Sequence, residues 1–296
     1  MEKTLNIINC CHKVDLIAKQ PYFTPIQVGK ANSLLDLGIQ GDDTGENIST
    51  KNDSYCELTG LYWIWKNHND AEVIGLSHYR RYFDFHGQCE TILPFTRFKT
   101  SQFNSLDYSV PKHIWERIKN GSVVLARPTH YSTPLFLNYA SAHVSDDLRI
   151  LEYVIKKTQP ENVKRAYYNL FYKKNKLSPY NMFLMNHSDF NTYCKWLFGI
   201  LEDTEKLCDI EHYNPVQKRI YGYMAERLLN VWVEAQKKTV IYAPVMIFDD
   251  GGPRKLSSPF RFFMGRLRND ISTAMISKTT YAMWSKIEVN PYYIRK

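Results

Sequence analysis

The run Glu72-Val-Ile-Gly-Leu-Ser77, together with the arginine pair just beyond it, limits this chain more than any other stretch. A short, continuously apolar segment is the pattern of a strand buried on both faces, and such strands belong to α/β sheets covered by helices. The run leads straight into His78-Tyr-Arg-Arg-Tyr-Phe83, so two adjacent arginines stand at the C-terminal end of a buried strand. Open α/β sheets bind ligands beyond the carboxyl ends of their strands. Neighbouring arginines on an extended chain point to opposite sides and are costly to bury without anionic partners. The guanidinium fork matches phosphate geometry, so Arg80 or Arg81 clamping a diphosphate is one reading. Pairing of both with acids such as Asp84 is the other.

The remaining pattern agrees with this class. A first strand is predicted over 5–10, a buried helix over 55–67 behind the capping-box letters Ser54-Tyr-Cys-Glu57, and a helix over 111–119 before a strand at 122–126. Helical sequence at 146–176 precedes a strand at 181–185, a helix at 189–207 and a long helix at 215–236. A last strand covers 240–248 and a turn, Phe248-Asp-Asp-Gly-Gly-Pro253, closes the fold. Strands alternating with helices make the class α/β. The 296 residues exceed what one compact core usually needs, which suggests two closely packed halves, 1–125 and 126–253, with an appendage at 254–296.

No run approaches the 18 to 20 apolar residues, roughly, of a bilayer span, and the first residues lack a cleavage signal, so a cytoplasmic protein is expected. The six cysteines show no Cys-x-x-Cys spacing, which argues against a zinc cluster and for reduced thiols. Of the net charge of +8, +7 falls between Arg254 and Lys296, where nine basic residues meet only Asp270 and Glu288. A nearly neutral body with a basic, aromatic-rich tail argues against nucleic acid as a partner and for an anionic membrane surface or a phosphorylated ligand. A tail helix packed on the body, its basic residues merely solvated, is the other reading.

Two further clusters invite chemistry. On the 215–236 helix, Arg219, Tyr223, Glu226 and Asn230 form a polar stripe beside an apolar face, which makes Glu226 a candidate general base or, alternatively, a structural partner of Arg227. In Gly41-Asp-Asp-Thr-Gly-Glu-Asn47, Asp42, Asp43 and Glu46 can hold a ribose or a divalent ion, but Asx turns use the same letters. None of the sixteen aspartates forms Asp-x-Asp, the pair many nucleotide-sugar transferases use to hold Mn²⁺ or Mg²⁺. No cofactor is predicted by motif; Mn²⁺ or Mg²⁺ stays open. Walker A, Gly-x-Gly-x-x-Gly and Gly-x-Ser-x-Gly motifs are absent.

Together these segments resemble the bacterial glycosyltransferases of capsule and O-antigen clusters, some of which are galactofuranosyltransferases. The resemblance rests on Pro25-Ile-Gln-Val-Gly29, Gly41 to Ser49, Tyr55 to Lys66, His78 to Phe83, Asn181 to Met185, Tyr193 to Phe198 and Arg219 to Leu228. It implies a GT-A-like mixed sheet flanked by helices, with the basic C-terminal helical tail outside the resemblance. It also implies inverting transfer of a sugar from a UDP-sugar, galactofuranose as first choice, to a lipid-linked surface glycan. On this reading Glu226 is the base, His78, Arg80, Arg81, Asp42, Asp43 and Arg219 hold the donor, and Tyr180, Asn181 and Tyr223 meet the acceptor. The enzyme would work at the inner face of the plasma membrane. A non-catalytic binder of anionic glycan or lipid would use the same arginines without chemistry.

Overall fold

The computed structural model of the chain describes residues 5–13, 16–68, 70–90, 92–249 and 259–295, with Lys278 as backbone only. Among them the elements run β1 (Leu5–Cys11), β2 (Phe23–Gln27), α1 (Asn52–Tyr55), α2 (Leu58–Asn67), β3 (Val73–His78), β4 (Arg81–Phe83), β5 (Phe95–Phe98), α3 (Lys112–Lys119), β6 (Val123–Ala126) and β7 (Thr129–His130). Next come α4 (Leu135–Ala142), α5 (Ser145–Thr158), α6 (Glu161–Tyr168), β8 (Lys176–Leu177), β9 (Phe183–Asn186), α7 (His187–Glu205), α8 (Ile220–Ala235), β10 (Val240–Ala243), β11 (Val245–Phe248) and α9 (Pro259–Trp284). The chain divides into two compact units, residues 1–127, 179–194 and 238–255 in one, and 128–178, 195–237 and 256–296 in the other. The turn at 248–253 falls mostly outside the described residues, as do Arg254 and Lys255.

The first unit is built on a nine-stranded mixed sheet whose hub is β3. This strand pairs parallel with β1, antiparallel with β9 and, through its last residue, with β4. The sheet extends through β1 to β2, through β9 to β6 and β10, and through β4 to β11 and β5. It is a mixed sheet of the α/β class that the sequence pattern predicts, flanked by helices as the family resemblance implies. Val73, Ile74 and Leu76 are fully buried, as their unbroken apolar run requires. Between them Gly75 leaves room for the neighbouring strand, because a Cβ there would lie 2.1 Å from Leu184 Cδ2 and 2.9 Å from the Phe183 carbonyl oxygen. Gly75→Ala is therefore expected to force β3 and β9 apart and cost about 1–3 kcal/mol, read as a lower urea midpoint; an unchanged midpoint would show that the sheet centre yields freely.

Two departures from the sequence pattern bear on function. The helix predicted over 55–67 is broken: α1 ends at Tyr55, Cys56 takes a positive φ of 53°, and α2 starts at Leu58. Ser54 lies inside α1 and donates to the Lys51 carbonyl, so the capping-box letters cap nothing. The long helix predicted from 215 begins as an Asx turn, with Asn214 Oδ1 accepting from the amides of Val216 and Gln217, and is α-helical only from Ile220.

The second unit is mainly helical, with a small antiparallel pair of strands, β7 and β8. Its core holds the fully buried Leu148, Leu151, Phe171, Leu228 and Trp232. Buried among them, Asp147 accepts a 2.6 Å hydrogen bond from the Tyr213 hydroxyl. Burial pushes its carboxyl up to about 7, with Asp146 adding to the rise and the Tyr213 hydrogen bond opposing it. The native state then binds a proton that the unfolded chain releases near pH 4, so stability is highest below that pH and falls as pH rises to 7. The loss is on the order of 3–4 kcal/mol. Denaturant titrations across this window should show the decline in the wild type and a flatter profile in Asp147→Asn; equal slopes would contradict the assignment.

Helix α9 packs by one side within this unit. The Trp284 ring lies 5.5 Å from that of Phe136 and 4.1 Å from the Arg149 guanidinium, and Tyr281 meets the rings of Tyr168 and Tyr172 edge-on. No helix among the described residues is long and apolar enough to cross a membrane.

Candidate functional site

Strand direction decides which residues gather at the site. Strands β1, β2 and β3 are parallel, β9 runs against β3, and β6 runs against β9. One edge of the sheet thus receives the carboxyl ends of β1, β2, β3 and β6 together with the residues entering β9. It carries His78 at the end of β3, Arg80 in the turn that follows, Arg81 at the start of β4, Arg127 after β6, and Tyr180 and Asn181 before β9. The expected straight run from β3 into Phe83 is instead a reversal. His78 pairs with Arg81 across the two residues Tyr79 and Arg80, and the Tyr79 amide donates to the Cys10 carbonyl. The hairpin puts Arg80 at its tip and returns Arg81 to the sheet.

The guanidinium of Arg81 lies 4.9 Å from the centroid of the Tyr180 ring and makes no ion pair among the described residues. The alternative partner, Asp84, is engaged elsewhere: it accepts from the amides of His86 (2.9 Å) and Cys89 (2.6 Å) and from Gln88 Nε2. Burial alone would raise its carboxyl, but these donors outweigh burial and hold it below the usual aspartate value. Asp84 therefore shapes its own turn and is no partner of the arginine. Arg80 lies with its guanidinium 6.0 Å from the Tyr79 ring, while its carbonyl accepts from the Phe248 amide.

Backbone strain concentrates at the same edge. Of four non-glycine residues with positive φ among the described residues, Cys56 (53°), Tyr180 (76°) and Asn181 (55°) meet here. Such conformations cost on the order of 1–3 kcal/mol each and persist where surrounding contacts impose them. The contacts are visible. His78 Nε2 lies 2.7 Å from the Tyr180 carbonyl, which only accepts, so the imidazole donates through that nitrogen. Asn181 Nδ2 donates to Glu57 Oε1 at 2.6 Å, joining the residue after Cys56 to the residue after Tyr180. Glu57 is a member that sequence reasoning missed, since its spacing from Ser54 reads as a cap. Beneath it Cys10 is buried, and burial first, then the Glu57 charge, raises its thiol well above the ordinary value.

The acids of the 41–47 loop take different places. Asp42, expected at the donor, is fully buried and accepts from the amides of Gly29 (3.0 Å) and Lys30 (3.1 Å) and from the Ser49 hydroxyl. Asp43 is exposed, and Glu46 pairs at 2.8 Å with Lys66 and with the Tyr62 hydroxyl. These carboxylates point to separate partners, and among the described residues no three His, Cys, Asp or Glu side chains come together as a metal site. Of the loop acids, Asp42 is taken by backbone amides and Glu46 by Lys66, so these two do not converge on a common ion.

In the second unit, α8 carries the other predicted residues. The Arg219 guanidinium lies 5.6 Å from the Tyr223 ring, which stacks on His143 at 4.0 Å. Burial and the nearby Arg227 charge lower the His143 imidazole to about 4, leaving it neutral. Glu226 Oε2 is 3.4 Å from Arg227 Nη1, the ion pair that the structural reading requires; its side chain keeps 22% exposure against 5% for the arginine. Arg227 also donates to the Tyr223 carbonyl and covers the Tyr139 ring, so it is anchored independently of the glutamate. Asn230 exchanges hydrogen bonds with both backbone groups of Ser178.

A family model described as Domain of unknown function (DUF4422) matches residues 6–238. Among solved structures, the apo structure of the bifunctional glycosyltransferase WbbM is similar at 26% identity with a TM-score of 0.74. The likeness covers 86% of this chain and 48% of that one, so the chain spans about half the length of the structure it matches. No curated protein matches.

Proposed function

We infer that this chain, which belongs to the DUF4422 family, is a glycosyltransferase that moves a sugar from a nucleotide-sugar donor to a glycan. The observation that carries the reading is Arg81, a cation at the carboxyl edge of a mixed α/β sheet, held on an aromatic ring and with no carboxylate paired to it among the described residues. A guanidinium in that position suits the diphosphate of a nucleotide sugar. The likeness to WbbM, a bifunctional glycosyltransferase, supports the same class.

In finer terms the donor is a UDP-sugar, with UDP-galactofuranose the first choice from the family resemblance, and the acceptor a lipid-linked bacterial surface glycan reached from the cytoplasmic side. Arg81 and Arg80 contact the phosphates, and His78 holds the Tyr180 turn beside them. Asp42 contributes by shaping the 29–49 loop. Tyr180, Asn181 and Tyr223 meet the acceptor. Glu226 takes the proton from the acceptor hydroxyl as its oxygen attacks the anomeric carbon. The bond from that carbon to the β-phosphate oxygen breaks, its electron pair leaves with UDP, and the configuration inverts. The arginines stabilise the charge that develops on the departing diphosphate.

Incubating the purified protein with a panel of UDP-sugars and a synthetic glycan acceptor tests the reading. Acceptor-dependent release of UDP from one member of the panel is expected. Tight UDP binding with no turnover on any acceptor would instead mark a binding protein.

A further inference from the structure

Helix α9 has a packed side and an exposed apolar side. Thr273 and Trp284 are its buried residues among those described, and with Tyr281 and Asp270 they mark the side that packs within the second unit. On the other side Phe260, Phe263, Met264, Leu267, Ile271 and Met275 are between 43% and 75% exposed. At 100° per residue these six fall within an arc of about 120°, and no polar side chain from Phe260 to Met275 enters it. By the same spacing the two buried residues, Thr273 and Trp284, lie roughly 130° from the centre of this arc, and Asp270 and Tyr281 pack along one flank of the stripe. The described residues therefore do not cover this stripe, and a contiguous exposed apolar surface marks a contact with something else.

Charge indicates what that is. The helix carries three arginines and one lysine against a single acid. That acid, Asp270, is turned inward to Asn175 at 3.0 Å, Lys176 at 3.4 Å and His130 at 3.7 Å. Arg261 and Arg268, both exposed, border the apolar arc on one flank. A stripe with no hydrogen-bonding group at its centre and cations along its border suits a surface that is anionic outside and apolar beneath. We propose that α9 lies in the plane of an anionic lipid bilayer, its stripe in the headgroup boundary and its border arginines on lipid phosphates. The attachment stands without the transfer reaction and would bring the enzyme to a lipid-linked acceptor.

Co-sedimentation of the full chain with lipid vesicles decides the matter, with no donor present. At low salt the protein should pellet with phosphatidylcholine vesicles containing phosphatidylglycerol. Binding should fall at least tenfold on phosphatidylcholine alone or at high salt. Phe263→Ser, Leu267→Ser and Ile271→Ser combined alter only exposed positions, so the fold should persist, checked by an unchanged melting temperature, while vesicle binding drops at least tenfold. Failure of the wild type to pellet at low salt, or a triple variant that pellets equally well, would overturn the proposal. So would loss of a dimer in the triple variant with vesicle binding intact, which would place a second copy on the stripe. Transfer to a short soluble acceptor, measured separately, keeps this outcome distinct from the fate of the enzymatic reading.

Discussion

Arg81→Ala is expected to weaken UDP binding by roughly 1.5–3 kcal/mol, the range for hydrogen bonds to a charged group, which is about 10- to 150-fold in affinity. The expectation rests on the lack of a carboxylate for this guanidinium among the described residues: Asp84 is engaged with the amides of His86 and Cys89. Arg81→Lys should recover only part of the loss, because an ammonium keeps the charge but loses the planar fork and the stacking on Tyr180. Since the arginine, not a metal, is assigned the diphosphate, UDP binding should also persist in EDTA. Calorimetric titration reads both. An alanine variant that binds UDP as the wild type does would remove the donor from this edge.

Glu226→Gln should lower kcat on the order of 10²-fold or more while leaving UDP affinity nearly unchanged, since the amide keeps the shape and loses the basicity. The structure sharpens this test by supplying a competitor. Glu57 is also a half-buried carboxylate, held at 2.6 Å by Asn181 on a strained turn. Glu57→Gln can retain that acceptor oxygen, so its effect should be modest if the residue only holds the turn. A reversal, with Glu57→Gln severe and Glu226→Gln mild, would move the base to the first unit and leave Glu226 as the partner of Arg227.

How much of this could be read from the letters varies with the physics involved. The central strand is legible because Val73, Ile74 and Leu76 form an unbroken apolar run, and a run buried on both faces has few other uses. The strand end carrying Arg80 and Arg81 is legible with it. The reversal at Tyr79 and Arg80 is not legible, because no glycine, proline or asparagine announces it; the turn is imposed by the Cys10 carbonyl and by pairing of His78 with Arg81. The break at Cys56 is hidden for a related reason. It depends on Asn52 Nδ2, which donates to the Cys56 carbonyl at 2.8 Å, while the surrounding letters read as one helix. Asp42 misleads in the opposite way: its sequence looks like a surface turn, yet packing turns this one acid of the group inward onto the amides of Gly29 and Lys30. Strain at Tyr180 and Asn181 has no sequence signal either, since neither is a glycine and tertiary contacts hold both in the left-handed region.

The most direct test of the central claim is mass spectrometry of a synthetic glycan acceptor after incubation with the purified protein and a UDP-sugar. The acceptor should gain the mass of one sugar residue, UDP should appear in equal amount, and both should fall together in Arg81→Ala. An acceptor left unmodified across the whole donor panel, with wild-type UDP binding intact, would contradict the assignment of this chain as a glycosyltransferase.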